Sequence, residues 1–195
     1  MGKIIAFEGT PGAGKTSVIG RMIKEKVLES STFVSELKID AGGKDDVTAT
    51  KLYLEAEVRK SEMVKKLSHD YAYVFLDRSF LTTLAYSYAL AKSKNNPQTH
   101  KEILEYFEKL DKEHRFVRPD CLIYLTIPMN TSLLRRARFS HLKEFGNWFD
   151  TEFLKYFLEF YKHNLNEFGM PSPSFIDTAN SNEDIVIRRI VTNMK

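Results

Sequence analysis

The chain has 195 residues, enough for one compact domain with a buried core. Its net charge is only +3 and no long basic run accompanies it, which argues against a nucleic-acid polymer as partner. The single cysteine, Cys121, rules out an internal disulfide framework or a Cys-based metal site, and no stretch approaches the roughly 20 apolar residues of a membrane span.

The opening residues lack a signal-peptide pattern, because Lys3 is followed by too short an apolar run and then by glycines. A cytoplasmic protein with no membrane partner is therefore expected. The five histidines are scattered and show no metal-ligand spacing.

The run KIIAFE at residues 3–8 reads as the first buried strand. GTPGAGKT follows it, at Gly9, Thr10, Pro11, Gly12, Ala13, Gly14, Lys15 and Thr16, and matches G-x-x-x-x-G-K-[ST] at every required position. Val18, Ile19, Met22, Ile23 and Leu28 then mark an amphipathic helix. A strand, a glycine-rich turn and a helix in that order form a phosphate loop. Its backbone N–H groups converge on phosphate oxygens, and the helix N-terminus adds partial positive charge. Lys15 is placed to bridge the β- and γ-phosphates of a triphosphate, and Thr16 to offer its hydroxyl to Mg²⁺. ATP and Mg²⁺ are the expected cofactors.

A second strand is predicted at residues 32–36, ending in Glu36, and a loop at 41–46. Leu52, Tyr53, Ala56, Met63, Val64 and Leu67 mark a long second helix that also carries Glu57 and Arg59. YVFLD at residues 73–77 is the third strand, followed at once by Arg78-Ser79. Ligands of open α/β sheets sit at the carboxyl ends of strands. Asp77 and Arg78 are therefore expected to face the phosphate loop, Asp77 holding Mg²⁺ partly through water and Arg78 gripping the acceptor.

Helices follow around Leu81–Tyr88 and Ile103–Leu110, separated by a loop at 93–97. The fourth strand is CLIYL at 121–125. A helix bearing Arg135, Arg136 and Arg138 comes next, then an aromatic helix over 149–165, a fifth strand at 174–177 and a last helix around Ile185–Ile190. Short continuous apolar runs alternating with helices predict an α/β fold, a five-stranded parallel sheet flanked by helices on both faces, built as one domain over residues 1–195.

Phe7-Glu8-Gly9, then Asp77-Arg78-Ser79 with Thr82 and Ala85-Tyr86, resembles thymidylate kinases, which carry Asp-Arg-Tyr-x-x-Ser-x-x-Ala-Tyr-Gln there. Deoxynucleoside kinases, their relatives, carry Glu-Arg-Ser at the same place, and Ser79 follows them. Pro119-Asp120 before the fourth strand and Arg135-Arg136-x-Arg138 after it resemble both families.

The resemblance implies a single-domain P-loop kinase fold with an arginine-bearing lid at about 135–148, in which Arg135 and Arg138 close over the triphosphate. It also implies that Glu36 is a base or sugar contact, that Tyr53, Arg59 and Tyr86 line the acceptor site, that residues 176–180 pass the donor adenine, and that the protein can form a homodimer. The sequence departs from the thymidylate kinases in lacking Arg before Glu36 and Pro after it, and in carrying Ser87 where they carry Gln.

The expected activity is ATP-dependent transfer of a γ-phosphoryl group to a small acceptor, a nucleoside monophosphate. The alternatives are the 5′-hydroxyl of a deoxynucleoside or an unrelated small molecule such as a sugar or antibiotic. A regulatory ATPase without an acceptor is a further reading, against which the arginine lid argues.

Overall fold

Five parallel strands carry the molecule in the order β2-β3-β1-β4-β5. The computed structural model describes residues 1–137 and 143–194. The strands are β1 (Lys3–Glu8), β2 (Ser31–Val34), β3 (Tyr73–Asp77), β4 (Cys121–Thr126) and β5 (Ser174–Asp177). The helices are α1 (Lys15–Lys24), α2 (Asp46–Asp70), α3 (Phe80–Ser93), α4 (Pro97–Asp111), α5 (Met129–Ala137), α6 (Thr151–His163) and α7 (Glu183–Asn193).

Strand side chains alternate between the two faces of the sheet, so the apolar runs of β1, β3 and β4 feed two cores. From β1, Ile4 and Ala6 join Leu54, Leu84, Ile103, Phe157 and Tyr161 in the larger core beneath α2, α3, α4 and α6. Ile5 and Phe7 join Val18, Ile19, Met22, Val186 and Ile190 in the smaller core beneath α1 and α7. The aromatic spacing of α6 belongs to the larger core, where Phe153, Phe157 and Phe160 are fully buried.

Two boundaries differ from expectation. Strand β2 stops at Val34, because its partner β3 ends just past Leu76 and offers no ladder beyond. Glu36 therefore lies in the irregular segment after the strand rather than within it. The aromatic stretch expected as one helix over 149–165 divides: a 3₁₀ turn covers Lys143–Phe149, and Asp150 caps α6 by accepting from the backbone N–H groups of Glu152 and Phe153.

The register brings the strand ends to one edge. Phe7 faces Asp77 across β1 and β3, and Glu8 faces Tyr124 across β1 and β4. Among the described residues no helix is long and apolar enough to cross a membrane.

Candidate phosphoryl-transfer site

The phosphate loop sits between β1 and α1 and depends on glycine conformations. Gly9 has φ +132°, and a Cβ there would lie 2.3 Å from the carbonyl oxygen of Leu125, so only glycine lets the loop leave the strand this close to β4. Gly14 has φ +91° and begins α1. Lys15 is buried, and its Nζ donates to the carbonyls of Gly9 at 3.1 Å and Thr10 at 3.3 Å. Burial pushes its pKa down to about 8. The nearby Arg78 adds to the shift, while Asp77, Glu36 and Glu8 oppose it.

The carboxylate end of β3 meets the loop. The Thr16 hydroxyl donates to Asp77 Oδ2 at 2.5 Å, while Asp77 Oδ1 is buried without a hydrogen-bond partner. A hard divalent cation takes oxygen ligands and keeps part of its water shell. The hydroxyl of Thr16 and the carboxylate of Asp77 are the oxygens this chain could offer it. Among the described residues no cluster of three or more His, Cys, Asp or Glu side chains could hold a metal by itself. A cation here would share its shell with phosphate.

Arg78 turns the corner from β3 to α3 with φ +66°, in the left-handed region, and is buried. Its Nε lies 2.7 Å from Glu36 Oε1, an ion pair in which the N–H is not aimed along the contact. Its guanidinium carbon stands 5.5 Å from the Trp148 ring centroid. Burial opposes the charge on Arg78, but Glu36, Glu8 and the other anionic groups prevail and hold its pKa above the ordinary value.

Beside Arg78 opens a cavity of about 690 Å³ between α2, α3 and the segment after β2. Glu36, Tyr53, Glu57, Arg78, Thr82, Tyr86 and Trp148 line it. Of the residues expected to contact the acceptor, Glu36, Tyr53, Arg78 and Tyr86 therefore share one cavity. Arg59 does not join them. It is exposed, two positions from Glu57 and so about 200° round the helix from the cavity-facing stripe.

The helix after β4 lies against the phosphate loop. The Arg135 Nη1 donates to the Gly12 carbonyl at 2.9 Å, and the Ser132 hydroxyl donates to the Pro11 carbonyl at 2.8 Å, so α5 rests on the phosphate loop. Arg138 lies outside the described residues. On the β5 side, the Thr178 hydroxyl donates to the Ala13 carbonyl at 3.0 Å, placing the segment after β5 beside the loop.

Three groups at this site carry little sequence signal. Glu8 is fully buried, and its two carboxylate oxygens accept from the Ser79 N–H at 2.9 Å and hydroxyl at 2.6 Å, the Thr82 hydroxyl at 2.5 Å and the Tyr161 hydroxyl at 2.8 Å. Its place at the end of an apolar strand and in the Phe7-Glu8-Gly9 resemblance marked it without showing these partners. Lys60 is buried on α2, where a helical lysine ordinarily reads as surface. Trp148 reaches the cavity from a segment distant in sequence, which no local pattern reveals.

A phosphate loop between β1 and α1 of a parallel sheet in this strand order makes the class plain: a P-loop α/β fold. A family model described as an AAA domain matches residues 4–155, and the chain belongs to that family. No curated protein matches the chain.

Among solved structures, the deoxyadenosine kinase from M. mycoides with bound dATP is similar at 18% identity, with 97% of each chain covered and a TM-score of 0.70. The same enzyme with bound dCTP gives 18% identity, 97% of each chain and a TM-score of 0.62. The thymidylate kinase from Candida albicans is similar at 17% identity, over 100% of this chain and 94% of that one, with a TM-score of 0.68. The fold is thus the one that thymidylate and deoxynucleoside kinases share.

Proposed function

We propose that the protein is an ATP-dependent kinase that phosphorylates a nucleoside at its 5′-hydroxyl. The observation that carries this reading is the Glu36–Arg78 pair at the mouth of the acceptor cavity. Among the described lining residues the cations are Lys38 and Arg78, against the carboxylates of Glu36, Asp40 and Asp46, with Glu57 held partly protonated near neutral pH by its burial. Arg78 is engaged by Glu36, and Lys38 stands exposed. A monophosphate would bring roughly two more negative charges into this surface. A neutral hydroxyl acceptor meets no such opposition, and Glu36 is then the group that takes its proton.

In this reaction the triphosphate lies in the phosphate loop, with Lys15 neutralising its β- and γ-oxygens and Arg135 closing from α5. Thr16 and Asp77 would hold a Mg²⁺ ion, which would supply charge neutralisation at the phosphates. Glu36 accepts the hydroxyl proton, and the freed oxygen bonds to the γ-phosphorus. The bond from that phosphorus to the β–γ bridging oxygen breaks, and ADP leaves. Arg78 keeps Glu36 oriented toward the acceptor and sits between acceptor and donor. Phosphoryl transfer needs mainly such positioning and charge neutralisation.

Phosphorylation of a nucleoside monophosphate is the second reading. Ala85-Tyr86 after the Asp77-Arg78 turn favours it, and Tyr86 lines the cavity with its hydroxyl accepting from Asn147 Nδ2 at 2.6 Å.

ADP formation from ATP alone, with a panel of nucleosides, and with their 5′-monophosphates separates the readings. Nucleosides are expected to stimulate it and monophosphates not. Glu36→Gln is expected to lower kcat with the responding nucleoside by about 10²–10⁴-fold while leaving ATP binding intact. Equal stimulation by monophosphates, or full activity in the Gln variant, contradicts the hydroxyl reading.

A further inference from the structure

Three consecutive residues, Asp77, Arg78 and Ser79, carry the site from the phosphate loop to the acceptor cavity, and buried charged side chains hold their backbone from both sides. From β1, Glu8 accepts from the N–H and the hydroxyl of Ser79. From α2, Lys60 Nζ donates to the carbonyl of Asp77 at 3.0 Å and to that of Arg78 at 2.9 Å. Lys60 is only 2% exposed. Its nearest carboxylate is Glu57 at 3.6 Å, which lines the acceptor cavity.

A lysine is among the residues least often buried, and taking its ammonium out of water is unfavourable unless acceptors replace the water. Helix α2 buries Leu54, Val58 and Val64 in the core around it, so an apolar residue at position 60 would serve packing as well. What an apolar residue cannot do is hold two carbonyls. The backbone held there needs the help, because Arg78 occupies the left-handed region that a long side chain seldom adopts unless its surroundings enforce it.

We propose that Lys60 is a positioning residue for phosphoryl transfer. It locks the left-handed turn at Arg78, and through that turn it sets the Asp77 carboxylate against Thr16 and the Arg78 guanidinium between Glu36 and Trp148. The kinetic consequence rests on the proposed kinase activity; the geometric consequence does not. Because α2 also contributes Tyr53 and Glu57 to the cavity, Lys60 ties the acceptor-binding helix directly to the β3 end.

The chain provides its own reporter. Its single tryptophan is Trp148, whose ring faces Arg78, so intrinsic emission reads the placement of Arg78 with no acceptor present. Lys60→Met and Lys60→Gln are compared with Arg78→Ala and with Ser61→Ala. The last removes a neighbouring buried hydroxyl on α2 that accepts the Val117 N–H.

Lys60→Met is expected to shift Trp148 emission in the direction that Arg78→Ala does. With the responding nucleoside, its kcat is expected to fall by about 10–100-fold while KM for ATP stays within about threefold. Lys60→Gln keeps one donor and is expected to lie between. Ser61→Ala is expected to lower the melting temperature with wild-type emission and kcat.

Wild-type emission and kcat in either Lys60 variant, with only a lowered melting temperature, overturns the proposal. If the Met variant does not fold, the same criteria apply to the Gln variant. If no nucleoside or monophosphate stimulates wild-type turnover, the kinase reading fails and the emission comparison alone decides the role of Lys60.

Discussion

Lys15 and Glu57 are buried ionisable groups with opposite consequences for pH. Burial lowers the Lys15 pKa to about 8, so the free protein loses this charge as pH rises through that value. A triphosphate needs the charged form. The dissociation constant for ATP with Mg²⁺ is therefore expected to rise between about pH 7 and pH 9, and the dependence is expected to vanish in Lys15→Met, which also loses at least about 10²-fold in kcat. Isothermal titration across that range checks it; a flat wild-type profile contradicts it.

For Glu57, burial raises the pKa from 4.5 to about 7, with Lys60 opposing the shift. The folded state then holds a proton that the unfolded chain has released, so this group stabilises the fold below about pH 4.5 and loses that contribution as pH rises to about 7. Glu57→Gln is expected to flatten the change in urea midpoint over that window. A midpoint whose pH dependence matches the wild type excludes the assignment. The sequence named Glu57 as a residue of the second helix, but period-3.6 patterning cannot tell an inward-facing carboxylate from a solvated one. Lys60 escaped for the same reason, and Glu8 because the apolar run of a strand does not show what a carboxylate at its end will meet. Their importance lies in the partners that folding brings to them.

At the scale of elements, the phosphate loop was legible because its motif fixes both spacing and chemistry, and the structure adds the steric reason for its first glycine. Gly9→Ala would place a Cβ 2.3 Å from the Leu125 carbonyl oxygen at a backbone angle that alanine rarely adopts. It is expected to destabilise the protein by about 1–3 kcal/mol or more and to weaken ATP binding. Equilibrium unfolding with a nucleotide titration tests both, and wild-type stability would show that the loop can leave β1 another way.

The three central strands were legible because strands buried on both faces are continuous apolar runs, while β2 and β5, at the edges with Phe33 and Phe175 exposed, showed as shorter ones. The end of β2 was not, since edge pairing with β3 decides it. Nor was the break before α6, where the Asp150 cap overrides a continuous aromatic periodicity.

Over the whole molecule, the sheet order places β3 between β2 and β1, and this arrangement makes the site. Residues from the ends of three strands, from α2 and α3, and from the segment before α6 converge on Arg78, although they are far apart in the chain. Motifs and the family resemblance had singled out the phosphate loop and four of the residues that line the cavity, Glu36, Tyr53, Arg78 and Tyr86. Arg59 was misplaced relative to the cavity because helix rotation follows from packing, and Trp148 had no local signature.

The assembled surface pairs Arg78 with Glu36 and leaves carboxylates in the majority around the cavity, and this supports the proposed hydroxyl acceptor. The most direct test is a competition. The protein receives ATP, Mg²⁺ and equal amounts of a nucleoside that stimulates ADP formation and its own 5′-monophosphate, and the products are separated by charge and mass. Early accumulation of the monophosphate at the expense of the nucleoside, with no diphosphate, is the result predicted. Diphosphate formed while the nucleoside is untouched would contradict the account and assign the cavity to a phosphorylated acceptor.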